Sequence, residues 1–359
     1  GGSFLYANTG TGTSCGSGTN FIDVFNTSGG LLQAFADTAN ECANYFGSNQ
    51  IAVLTHGKKP TSACLVEANL NAGAAPGSWL SFTIPSTATG LIGAQVSTVA
   101  DPKGTPEDVK AAPEGNAVYS ADFSGSIERL AVNPKTCALG KPKYSKAGPS
   151  GTVYVNLQVL GKGKGEYIEA TNPLNPNVSG GTIDSFKTSL ALAGSAAPDT
   201  GAGASYPDGI SAFGNQVATG TLLSPGIVED GTWSAPSTIT WAGVGTDPNG
   251  YNESNTALDA TCVWGGNEGI QNSSGADFVS AYAAPGTFVN EANLLGGTLY
   301  SGPMQVVNAG GVLLVDNVQG GLIDLLTVGS GCSTSNAVAF AAMNDAGGNS
   351  GGMEAVSFP

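Results

Sequence analysis

An all-β ring of seven four-stranded antiparallel units, closed by pairing the first strand with the last, is the architecture this sequence predicts, as a single domain over residues 1–359. Three observations predict it. The C-terminal MEAVSFP (Met353 to Pro359) and the N-terminal GGSFLYANT (Gly1 to Thr9) read across the gap as one phrase, strand, turn and strand, ending in Asn8. The same phrase stands unbroken inside the chain as PEDVKAAPEGNAVYSAD (Pro106 to Asp122) and PMQVVNAGGVLLVDN (Pro303 to Asn317). Short apolar strands, most of them carrying an acid, recur at intervals of about 50 residues, the period of propeller blades. Open sheet edges invite association, and a ring whose two ends share one sheet removes them, so the fold expected is a seven-bladed β-propeller.

The recurring strand alternates apolar and polar residues over six or seven positions, which is a strand signature. It reads NFIDVFN from Asn20, ACLVEANL from Ala63, SIERLAV from Ser126, TIDSFKT from Thr182, DFVSAYA from Asp277 and LIDLLTV from Leu322. With Ile22, Val66, Ile127, Ile183, Phe278 and Ile323 as anchors, the steps are 44, 61, 56, 95 and 45 residues. The longest step holds two units, the second hidden in DGISAFGNQVATGTLL (Asp208 to Leu223) and the TWSAPSTITWAG that comes after it. Alternation places Asp23, Glu67, Glu128, Asp184 and Asp324 on the face opposite their apolar neighbours, at blade interfaces or solvent edges, and any that is buried requires a donor.

Before most of these strands comes a phrase ending in Asn or Asp: LYAN at Asn8, YSAD at Asp122, EATN at Asn172, WGGN at Asn267 and LVDN at Asn317. Short polar side chains at a strand end bond nearby backbone, so these are read as turn formers. Gly29 to Phe46 carries the one plausible helical spacing, with an outer strand plus loop as its alternative. Gly148 to Lys164, Ala193 to Ser205 and Gly243 to Asn255, rich in small residues and Pro, read as loops at the rims of the ring.

The strand ends resemble the YVTN-type repeats of the secreted seven-bladed propeller superfamily that also contains the lactonase-like propellers, and the likeness covers nearly the whole chain. In lactonase-like members the active site is commonly built at the mouth of the axial channel, and the resemblance points there. Aligning the openings PEDV, YPDGI, PMQVV and MEAV sets Glu107, Asp208, Gln305 and Glu354 at equivalent points of four blades. Oxygen donors converging there from separate blades suit Ca²⁺ or another hard divalent cation, and no other cofactor is indicated. Asp108 and Glu114 lie close enough in sequence to compete for the role. The chain departs from the lactonase-like pattern in its supply of catalytic groups: His56 is the only histidine and Arg129 the only arginine. GNSGG (Gly348 to Gly352) falls in the closing strand rather than a protease site, and GTGTSCGSG and GKGKG precede no helix, so neither is a phosphate loop.

Bulk properties narrow the function classes. Six cysteines, Cys15, Cys42, Cys64, Cys137, Cys262 and Cys332, include no CxxC pair. They indicate disulfides formed in an oxidising compartment, with the pairing left open. Sequons at Asn26, Asn177, Asn252 and Asn272, and a first residue that is not Met, fit a secreted, extracellular, cell-surface or periplasmic protein with its leader removed. No apolar run reaches the roughly 18 to 20 residues of a membrane span. Net charge is -15, and all 12 Lys and Arg fall between Lys58 and Lys187. The acidic arc that remains repels phosphates, which excludes nucleic acid as a partner.

Two functions are consistent with these features. The first is a non-catalytic structural, adhesive or recognition module that binds a protein, cell-surface or glycan partner, or copies of itself, with Trp79, Trp233, Trp241 and Trp264 as candidate glycan contacts. The alternative is a lactonase-like, metal-assisted hydrolase at the axial mouth.

Overall fold

The computed structural model describes residues 2–10, 20–37, 50–69, 76–146, 148–161, 163–175, 180–198, 206–221, 227–235, 238–248, 255–266, 277–295, 301–307, 311–317, 321–343 and 349–359. Cys15, Cys42, Asn177, Asn252, Asn267 and Asn272 lie outside the described residues.

Seven four-stranded antiparallel sheets stand around one axis. From the innermost strand outward, blade 1 is Asn349–Ser357, Ser3–Gly10, Asn20–Phe25 and Leu31–Asp37. Blade 2 is Ile51–Leu54, Ala63–Asn69, Ser78–Ile84 and Gln95–Ala100. Blade 3 is Pro106–Ala111, Ala117–Asp122, Ile127–Ala131 and Lys143–Tyr144. Blade 4 is Leu157–Leu160, Tyr167–Asn172, Thr182–Lys187 and Leu192–Ala196. Blade 5 is Pro207–Phe213, Gln216–Thr221, Ile227–Ser234 and Thr238–Thr246. Blade 6 is Asn255–Leu258, Cys262–Gly266, Phe278–Ala283 and Thr287–Asn293. Blade 7 is Ser301–Val307, Val312–Asn317, Leu322–Thr327 and Val338–Ala342.

The two ends of the chain meet in blade 1 as expected. The last strand pairs with the first from Ser3 opposite Ser357 to Gly10 opposite Asn349, and Phe358 N donates to Gly2 O at 2.9 Å. Blade 1 is thereby completed as a four-stranded sheet like the other six.

The apolar core is divided into seven clusters, one at each blade interface. Between blades 3 and 4, for example, Tyr119, Ala121 and Ile127 pack on Tyr154, Ile168 and Phe186. A blade interior is covered on both faces, so its middle strands are buried throughout, as in Ala117–Asp122, and polar residues on them must find partners.

Several sequence expectations are corrected. ACLVEAN is the second strand of blade 2, not the third; the third is SWLSFTI, in which Trp79 faces Ala68 as Ile127 faces Ala121. Both strands of that blade are apolar runs, and the acid in Glu67 gave the second the look of the third. Leu31–Asp37 is the outer strand of blade 1 rather than helix. Gly148 to Lys164 contains the innermost strand of blade 4, and Ala193 to Ser205 and Gly243 to Asn255 contain outer-strand residues of blades 4 and 5. Four-residue inner strands are too short to show a period. The tryptophans Trp79, Trp233 and Trp264 are buried, leaving Trp241 half-buried.

Two disulfides repeat one design. Cys64 at the start of a second strand in blade 2 bonds Cys137 beyond the third strand of blade 3, and Cys262 in blade 6 bonds Cys332 in blade 7 the same way. Each ties neighbouring blades. Among the described residues no helix is long and apolar enough to cross a membrane.

Candidate active site

Pairing between first and second strands sets a common rung around the axis. Lys110, Gln158, Ser211 and Gln305 each lie opposite the residue three before the one that ends the second strand, namely Tyr119, Glu169, Ala218 and Leu314. In blade 2 that register position is Ala52, opposite Val66, and in blade 6 Ala257, opposite Trp264, lines the same space. The four polar side chains and the methyl group of Ala257 thus face one axial space.

That space is a cavity of about 690 Å³, within the range that holds small ligands. Glu354 and Asp259 add carboxylates to its wall, and Met304 and Phe213 add apolar surface. A narrower pouch of about 60 Å³ continues towards Asn156 and Gly209, where the inner strands begin.

The polar groups are held in place by their neighbours. Lys110 Nζ lies 3.3 Å from Asp108 Oδ1, and Leu157 N donates to Asp108 Oδ2 at 2.8 Å. Burial pushes the Asp108 carboxyl above its ordinary range, opposed by the Lys110 charge. Gln158 Nε2 donates to Ile210 O at 3.2 Å and Gln305 Nε2 to Met353 O at 3.4 Å, so each glutamine is tied to the next blade.

Of the four residues aligned by their openings, Gln305 and Glu354 line this cavity, whereas Glu107 and Asp208 are buried where their strands begin. The four are not all equivalent: Glu107 and Asp208 each follow the residue that opens their strand, Pro106 or Pro207, but in blade 7 that opening residue is Ser301, so Gln305 falls level with Lys110 and Ser211. Asp208 serves through its backbone, accepting from Asn156 Nδ2 at 3.1 Å and Thr171 Oγ1 at 2.7 Å. At the cavity, then, the side-chain oxygens on offer are those of Gln158, Ser211, Asp259, Gln305 and Glu354, and the Lys110 ammonium shares the wall. A hard divalent ion takes six to eight oxygens, and the Lys110 charge on the same wall opposes one there.

Sequence reading missed Lys110, Gln158 and Ser211. They precede Asp122, Asn172 and Thr221 by 12, 14 and 10 residues, and the unequal hairpin turns between conceal the shared rung.

On the face where these hairpins turn, Glu114 accepts from Gly163 N at 3.1 Å, and its backbone oxygen lies 3.0 Å from His56 Nδ1. Burial and then the neighbouring Glu114 push Glu166 up to about 7, while Tyr119 Oη donates to it at 2.9 Å. Three acids of the repeat are held by amides. Asn8 donates to Glu67 across the first two blades, Asn172 to Asp184 at 3.0 Å and Asn317 to Asp324 at 3.2 Å. Asn8, Asn172 and Asn317 are therefore amide donors to buried carboxylates, a partnership that turn propensity alone did not reveal.

No protein-family description and no curated protein matches this chain. Solved structures do. A periplasmic gluconolactonase of Pseudomonas aeruginosa superposes with a TM-score of 0.71 at 16% identity, covering 99% of each chain. A putative 6-phosphogluconolactonase of Bacteroides uniformis gives 0.68 at 15%, covering 99% of each. Another, from Bacteroides fragilis, gives 0.67 at 13%, covering 99% of this chain and 98% of its own. The chain has the seven-bladed propeller fold that these proteins share, over its whole length.

Proposed function

We propose that the protein is a lactone hydrolase of the gluconolactonase type, acting on a small polyhydroxylated lactone in the axial cavity. The observation that carries the reading is the rung of Lys110, Gln158, Ser211 and Gln305, fixed on four blades around a cavity of about 690 Å³ with Glu354 on its wall. The gluconolactonase and putative 6-phosphogluconolactonases that share the fold support the same class of substrate.

In this reading the ammonium of Lys110 stabilises the oxyanion that forms as water adds to the lactone carbonyl. Glu354 accepts the proton from that water, and the ring C–O bond then breaks, the departing alkoxide taking a proton to leave a hydroxy acid. The amides of Gln158 and Gln305 and the hydroxyl of Ser211 bond substrate hydroxyls. With one lysine and no arginine on the wall, a neutral sugar lactone suits the cavity better than a phosphorylated one. Initial rates of acid release from a panel of neutral, phosphorylated and long-chain acyl lactones test this: saturable acceleration is expected for the neutral sugar lactones. Equal inactivity across the panel would overturn it.

Segregated charge supports a second reading, a non-catalytic recognition module. All basic residues lie between Lys58 and Lys187, in blades 2 to 4, so the rest of the ring is acidic. Sedimentation at low and high salt tests it, with salt-sensitive self-association expected. The two inter-blade disulfides support an extracytoplasmic location for either reading.

A further inference from the structure

Blade 3 breaks the amide-to-acid pairing that blades 4 and 7 keep. In those two blades the residue ending the second strand is Asn172 or Asn317, which donates to the third-strand acid, Asp184 or Asp324. Blade 3 has Asp122 at that place and Glu128 as the acid. Glu128 faces Ser120, two before Asp122, just as Asp184 faces Ala170 and Asp324 faces Val315. The amide donor is gone and a second carboxylate stands where it was. Asp101, just past the outer strand of blade 2, supplies a third.

The three are fully buried, and an oxygen from each lies within 4.8 Å of the others; among the described residues this is the only such group of acid, histidine or cysteine ligands. Donors hold one oxygen of each. Asp101 Oδ1 accepts from Lys103 N at 2.9 Å and Tyr144 Oη at 3.0 Å, Asp122 Oδ1 from Ser124 N, and Glu128 Oε1 from Ser126 Oγ. The remaining three, Asp101 Oδ2, Asp122 Oδ2 and Glu128 Oε2, are buried and accept no hydrogen bond. No Lys or Arg forms an ion pair with the trio among the described residues, where the one ion pair is Lys110 with Asp108. Three orphaned carboxylate oxygens out of water need either shared protons or a cation.

We infer that Asp101, Asp122 and Glu128 form a site for a hard divalent cation of the Ca²⁺ class that ties blade 2 to blade 3. The donors are all oxygen, which suits Ca²⁺ rather than a thiolate- or imidazole-seeking metal, and carboxylates accommodate its flexible geometry. The loop from Asp101 to Thr105 wraps the site closely: a Cβ on Gly104 would come within 2.2 Å of Asp122 Oδ1. The site lies away from the axial cavity, so the inference stands independently of the lactonase reading.

The test uses the full chain stripped with EDTA, then titrated with CaCl₂ by calorimetry and followed by thermal unfolding. One saturable site per chain and a rise in Tm that EDTA reverses are expected. Asp122→Asn recreates the Asn172–Asp184 arrangement and so should fold, yet lose both the binding heat and the calcium-dependent rise in Tm; Gly104→Ala should weaken binding at least tenfold by displacing Asp122. Wild-type protein without heat or Tm rise at millimolar Ca²⁺ would overturn the inference, as would an Asp122→Asn protein that keeps the full rise.

Discussion

Trp233 Nε1 in blade 5 donates to Glu169 Oε1 in blade 4 at 2.7 Å, and the second oxygen of Glu169 accepts from Ser185 Oγ. Burial pushes the Glu169 carboxyl up, and these two donors pull it back. Trp233→Phe keeps the ring in the core but leaves one oxygen of a fully buried acid without its donor. A loss of about 1 to 3 kcal/mol is expected in urea unfolding. An unchanged midpoint would contradict this account of the blade interface.

Both inter-blade disulfides close loops of similar length, with separations of 73 and 70 residues. If they act by restricting the unfolded chain, their removal costs nearly the same, roughly 4 kcal/mol each by loop entropy. Comparing Cys64→Ala/Cys137→Ala with Cys262→Ala/Cys332→Ala by denaturant unfolding checks it. Losses that differ by more than about 2 kcal/mol would point to native packing instead.

Glu166 titrates at about 7 in the folded protein against an ordinary 4.5, raised by burial and Glu114. The folded state therefore holds a proton that the unfolded state gives up. Its contribution to stability falls as pH rises from about 4.5 to about 7 and is level above that. Glu166→Gln cannot titrate, so its Tm relative to wild type should climb across that window. A difference that stays flat between pH 4.5 and 8 would contradict the assignment.

Lys110 has a structural duty as well as the proposed chemical one. Lys110→Met leaves Asp108 buried with an uncompensated charge, which should cost roughly 3 to 5 kcal/mol. Adding Asp108→Asn removes that charge and should restore most of the stability without restoring activity. Stability that does not recover in the double variant would show that the pair is not what Lys110 supports.

The ring closure was legible because it depends on local pattern: MEAVSFP and SFLYAN are each readable strands, and only their order is unusual. The hidden blade from Asp208 was found by spacing alone. The inner strands Leu157–Leu160 and Asn255–Leu258 were lost because four residues among small, polar neighbours show no period. The axial rung was obscured by geometry rather than by weak signal. Hairpins of unequal length put Lys110, Gln158 and Ser211 at different distances from Asp122, Asn172 and Thr221, which end the second strands. The pairing of Asn172 with Asp184 could not be seen because the two residues meet only across strands.

The central claim is that the axial cavity hydrolyses a sugar lactone with Glu354 as the base. The direct measurement is pH-stat hydrolysis of gluconolactone by wild type and Glu354→Gln, each with its Tm recorded. The account predicts saturable acceleration by wild type and a loss of about 10² to 10⁴ in kcat for the variant at unchanged Tm. Wild-type rates no faster than spontaneous hydrolysis, or equal rates in the two proteins, would contradict it.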